Sequence, residues 1–181
     1  MMQSYPTFLE SYLGPIQKGY ANGNSMPFQL IQCNKGFLPN VTTYGTLGLS
    51  HHMFQGIRQE FFIMVDENEN QSYFPSILHQ VAMIAYSTHR PFLRGEVVGP
   101  YGPMIPDSKM EAFYVAAPTY LPDEFHVYED GISSPIVQVW LVPISSSEAN
   151  FVQKHGHGAF EDLLVKKQPD LLSFTRDEVL E

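Results

Sequence analysis

The sequence has little cysteine, little positive charge and no long apolar run. Cys33 is the single cysteine among 181 residues. One cysteine excludes a disulfide within the chain and any cysteine-based zinc site built by one chain. Lys and Arg number 10 against 19 Asp and Glu, a formal net charge of -9. Nucleic acid is disfavoured as a ligand, because phosphate neutralisation needs clustered Lys and Arg. The acidic balance suits a basic partner, whose encounter it would speed; it equally serves plain solubility. No stretch is long and apolar enough to span a bilayer. The opening "MMQSYPTFLESYLG" lacks the basic segment and apolar run of a signal peptide, so a cytoplasmic location is expected. No repeat, low-complexity segment or long linker interrupts the chain. One domain over 1–181 is expected from this length.

Apolar residues make up 44%, with thirteen Phe and ten Tyr, which indicates a packed core. Phe8, Leu9, Tyr12, Leu13 and Ile16 recur at helical spacing, stopped by Gly14-Pro15. "ANGNSMP" reads as a loop. "PFQLIQC", "NVTTYGTLGLS" and "IRQEFFIMV" read as strands, the third closed by the polar turn "DENENQ". "SILHQVAMIAYSTHRPFL" is the longest helical pattern, with Ile77, Val81, Ile84 and Ala85 on one face and Pro91 as a stop. "GEVVG" and "MEAFYVAAP" are strands around the loop "PYGPMIPDSK". "EFHVYED" and "SPIVQVWLVP" form a pair turning at Asp130-Gly131, the second apolar enough to be central. The last third is helical. The fold class expected is α+β, a mixed and mainly antiparallel sheet packed by helices.

"FVQKHGHGAFEDLL" raises the question of a metal or catalytic site. Ser145 and Glu148 have capping-box spacing at a helix start, with Phe151 and Val152 toward the core. The helix would run to about His155, which faces the negative end of its dipole. Gly156 fits the position just past the end, where φ is positive. A second helix follows with Phe160, Leu163 and Leu164 on one face. Every residue but His157 thus has a structural role. Zinc needs three or four ligands and this motif offers two. His51, His52, His79, His89 and His126 add no tight ligand spacing, and the adjacent pair His51-His52, taken as strand residues, would point to opposite faces. No metal and no cofactor are expected.

"GLSHH" begins like a nucleophile elbow but lacks the glycine after the serine. Phosphate-cradling and dinucleotide-binding glycine patterns are missing. Cys33 has no local base and reads as a small core residue. No catalytic residue is assigned. Two acidic groups remain as candidate partner-binding residues: Asp66, Glu67 and Glu69 in one turn, and Asp123, Glu124, Glu129 and Asp130 around "FHVY". Turns between strands are exposed and can carry function, although acidic turns are also common on any soluble protein.

"VTTYGTLGLS", then Gly102-Pro103 followed by "DSKMEAFYVAAPTY", then "WLVPISSSEANFVQKHGHGAFEDLL" come in an order and spacing that resemble the suppressor of fused (SUFU) domain family. In that family a strand ends in Pro-Ile, a helix begins with a Glu near its start, and a glycine precedes a second short helix. Pro143, Ile144, Glu148 and Gly156 match, and the resemblance covers about 28–176. His157 lies outside the pattern. The resemblance implies a SUFU-like fold, no catalysis and a protein partner. The animal relative holds a transcription-factor peptide between this domain and a second one; because these 181 residues end soon after the first, that cleft is not expected here. Stand-alone bacterial members look like immunity proteins that neutralise a polymorphic or contact-dependent toxin, often a basic nuclease. An antitoxin is therefore the first functional expectation. A general regulatory interaction module is the alternative, and a small metal-dependent hydrolase using the histidines a third.

Overall fold

The computed structural model describes residues 3–20 and 26–180. The N-terminal helix α1 (Tyr5–Leu13) is followed by strands β1 (Ile16–Tyr20), β2 (Gln29–Asn34), β3 (Val41–Leu47) and β4 (Arg58–Asp66). Helix α2 (Phe74–Thr88), β5 (Val97–Val98), β6 (Met110–Ala116), β7 (Val127–Tyr128) and β8 (Ile136–Ser145) come next, then α3 (Ser146–His155) and α4 (His157–Lys167). The architecture is α+β with a mainly antiparallel sheet, eight-stranded among the described residues, as the hairpin-like strand pairs of the sequence predict. Among the described residues no helix is long and apolar enough to cross a membrane.

Two compact units divide the contacts, residues 1–92 with 117–140 and residues 93–116 with 141–181. In the first, the strands run β1-β2-β3-β4-β8, and β7 pairs with the start of β8. Antiparallel pairing holds from β1 through β4, whereas β4 and β8 are parallel with Arg58 opposite Ile136. Phe61 to Val65 of β4 are all buried, because this strand has neighbours on both edges and is covered on both faces. α2 packs on β3 and β4, with Tyr44 and Phe74 rings 5.7 Å apart. Phe125 meets Phe8 at 5.7 Å and Phe62 at 5.6 Å. Gly45 lies opposite Phe62, and a Cβ there would stand 2.6 Å from that ring. Glycine is required at 45 because an aromatic occupies its side-chain space.

In the second unit β8 continues beside β6, which pairs antiparallel with β5. α3 starts with the expected capping box: Ser145 accepts from the Glu148 N–H, and the Glu148 carboxylate accepts from the Ser145 N–H. Gly156 ends the helix at φ 85°, ψ 162°. This is a glycine-favoured conformation, but not the left-handed helical cap usual at a helix end. α4 buries Phe160 against Tyr114, with ring centroids 5.2 Å apart.

Several sequence expectations shift. Ile16 belongs to β1 rather than to the first helix. The strand expected through Ser50 stops at Leu47, and Leu49–His51 form a 3-10 turn after Gly48 at φ 98°. α2 buries Phe74, Leu78, Val81, Ala82 and Ala85, so its inner face is rotated from the expected one. It ends at His89 in a left-handed conformation, two residues before Pro91. Asp123–Phe125 is a 3-10 turn, leaving β7 two residues long. Residues 168–180 contain no helix. They are held as a strap, with Leu171, Phe174 and Val179 buried. Most of the loop expected at "ANGNSMP" (residues 21–25) lies outside the described residues.

Candidate interaction surface

The acidic turn after β4 is built to keep one shape. Asp66 accepts from both the backbone and side-chain N–H of Asn68 at 2.8 Å. The Gln71 amide donates to the carbonyls of Asp66, Glu67 and Glu69, and the Tyr44 hydroxyl donates to Gln71 Oε1 at 2.8 Å. Glu67 is exposed, while Asp66 and Glu69 are half-buried. Asp66 therefore serves its own turn first.

The second acidic group is arranged differently. Asp123 and Glu124 are exposed on the 3-10 turn, Asp123 lying 4.0 Å from His126. Glu129 is exposed at the tip following β7. Asp130 Oδ1 accepts the N–H groups of Ile132 and Ser133 at 2.9 and 2.7 Å, and these bonds hold its carboxyl below the usual range. Such a self-bonded Asp fixes a turn without any strand partner. Ile132 at its crest is 90% exposed, the most exposed large apolar side chain described.

The parallel β4–β8 register separates the two groups. The 130–134 turn sits at the Arg58 end of β4, where Arg58 donates to the Ser134 carbonyl at 2.7 Å. Asp66 closes the other end, eight residues on, or about 26 Å at strand rise. The seven acidic residues form two surfaces, not one.

Near the Asp130 turn lies a cleft of about 600 Å³, lined among others by Tyr5, Phe28, Gly48, Arg58, Tyr128 and Asp130. Its Gly48–His51 lip is held from beneath by Glu60. That fully buried carboxylate accepts from Thr46 Oγ1 at 2.6 Å, Gly48 N at 2.9 Å and Ser50 N at 3.0 Å. A buried carboxylate is tolerable only with such partners. Sequence reasoning missed Arg58, Glu60, Tyr5 and Tyr128. The available signal was "RQE" at the head of an otherwise apolar strand, since charges there must find partners.

His155 and His157 are exposed. His155 packs on Phe151 at 4.5 Å. His157 lies against Gly95, where an added Cβ would come within 2.7 Å of its ring. His51 and His52 are not strand residues; His52 Nε2 lies 3.0 Å from the Pro27 carbonyl. Among the described residues no group of three His, Cys, Asp or Glu is placed to hold a metal. Cys33 is buried, and burial pushes its thiol up to about 12. It would remain protonated at neutral pH and so be a poor nucleophile.

A search of curated proteins finds no match to the chain. The family model "Suppressor of fused protein (SUFU)" matches residues 24–177. Among solved structures, a SUFU homolog from Neisseria gonorrhoeae FA 1090 superposes with a TM-score of 0.77 at 21% identity, over 95% of this chain and 92% of that one. The Sufu-Fu complex gives 0.65 at 12% identity, over 90% and 80%. Drosophila Suppressor of Fused gives 0.60 at 13%, over 82% of this chain and 40% of that one. The structural likenesses bear on the fold, and the family model spans nearly the whole chain: this protein belongs to the suppressor of fused family.

Proposed function

We propose that this chain is a non-catalytic protein-interaction module of the immunity-protein kind, which neutralises a basic toxin domain by covering its active site or substrate channel. The observation that carries the reading is the turn at 129–134. Glu129 and Asp130 precede an Ile132 side chain that is 90% exposed on a loop fixed by the Asp130 carboxylate. A rigid apolar anchor loses little entropy on binding, and surrounding acid steers a basic partner. Asp123 and Glu124, exposed just before β7, extend the same charge. A nuclease presents a positive groove for phosphate, and an acidic surface competes for it. The Sufu-Fu complex, a structure similar in fold, is itself a protein complex, which supports a protein partner here. A cytoplasmic site of action accords with this role.

The test is coexpression with the toxic domain encoded beside this gene, scored by growth and by pull-down of the complex. Protection with a stable complex is expected. A complex with a non-toxic partner and no protection would instead favour the general regulatory module.

A further inference from the structure

We propose that the cleft beside the Asp130 turn is a small-ligand site for a zwitterion on an apolar body, the chemistry of a free hydrophobic amino acid. Its two charges come from β4 (Arg58) and from the turn after β7 (Asp130), and Arg58 lies near enough to help hold the Asp130 carboxyl low. Arg58 Nε donates to the Ser50 carbonyl at 2.9 Å and Nη1 donates to Ser134 O at 2.7 Å. Those bonds use two of the five N–H donors of a guanidinium and leave three for a carboxylate. Asp130 uses Oδ1 for both turn N–H groups, and the Ser133 side chain and Arg58 act on its carboxyl as well. No ion pair joins Arg58 to Asp130 among the described residues, yet both line the same cleft. A cation and an anion at one cavity wall suit a ligand that carries both charges.

The rest of the lining mixes apolar and aromatic side chains, Tyr5, Phe28, Leu47, Tyr128 and Ile136, with the polar Gln29, Ser50 and His51. The volume of about 600 Å³ lies within the range of small-molecule sites. The walls are held in place before any ligand arrives. Arg58 ties the Ser50 lip to the Ser134 turn, buried Glu60 holds the Gly48 and Ser50 N–H groups, and the Tyr5 hydroxyl donates to Gln138 Oε1 at 2.8 Å. Preorganisation of this kind favours binding by lowering the ordering cost.

The experiment titrates L-phenylalanine, N-acetyl-L-phenylalanine and phenethylamine into the isotope-labelled chain and follows backbone amide shifts. Expected is saturable binding of phenylalanine mapped to residues 47–51 and 128–134, weaker by about tenfold or more for either single-charge analogue. Asp130→Asn keeps the turn acceptor, so it should stay folded and lose selectivity for phenylalanine over N-acetyl-phenylalanine. Arg58→Gln should lose selectivity for phenylalanine over phenethylamine. No saturable shift in the cleft, equal affinity for all three compounds, or unchanged selectivity in folded Asp130→Asn would overturn the proposal. Toxin protection is scored separately, so the two readings fail independently.

Discussion

Arg176 closes on Glu148 in a buried, two-pronged ion pair, with Nη2 to Oε2 at 2.7 Å and Nη1 to Oε1 at 2.9 Å. Arg176 also donates to the Pro143 carbonyl at 3.0 Å, and Glu148 Oε1 accepts the Val179 N–H at 2.8 Å. One glutamate thus caps α3 and fastens the strap that follows α4. Arg176→Met would strand a buried carboxylate, and the expected loss is about 3–5 kcal/mol. Urea unfolding measures it; a loss under about 1 kcal/mol would mean the pair is solvated in solution.

Gly156→Val tests the turn between α3 and α4. Nothing lies within 4 Å of an added Cβ, so the effect is backbone strain at φ 85° alone. A loss of about 1–3 kcal/mol is expected, larger than for His157→Ala. A thermal melt with the reverse order would contradict the turn geometry.

Gly95 combines both problems, with φ 90° and the His157 ring in its side-chain space. Gly95→Ala should destabilise, and His157→Ala in that background should restore the steric part but not the strain. Additive losses in the double-mutant cycle would show that the two residues do not touch.

Glu161 sets an acid limb to stability. Its carboxyl is held below its ordinary value near 4.5, first by the Arg94 hydrogen bond and also by the Tyr114 hydroxyl. A depressed folded-state value means stability that is present above about 4.5 and lost as pH falls through the lower folded value. Glu161→Gln should flatten that limb below about pH 4.5, and an unchanged profile would refute the coupling. The effect is small, because the Arg94 side chain is 65% exposed.

Local signals carried much of the fold. β2, β4 and β6 follow β-branched and aromatic runs, and the α3 cap follows from Ser145 and Glu148. Long-range partners were not legible. Glu148 read as a cap because its second role depends on Arg176, 28 residues away. The separation of the two acidic turns follows from the parallel β4–β8 register, which no local pattern encodes. The inner face of α2 turned because Leu78 and Ala82, not Ile77 and Ile84, meet the sheet side.

The central claim is most directly tested by association kinetics with the toxic domain at low and high salt. The wild-type chain is compared with Glu129→Lys, with Asp123→Lys/Glu124→Lys, with Ile132→Asp, and with Glu67→Lys in the distant turn. The account predicts that the Lys variants at 123, 124 and 129 slow association and flatten its salt dependence. Ile132→Asp should speed dissociation, and Glu67→Lys should change little. Absence of a complex, or a complex whose rates ignore all substitutions at 123–132, would contradict it.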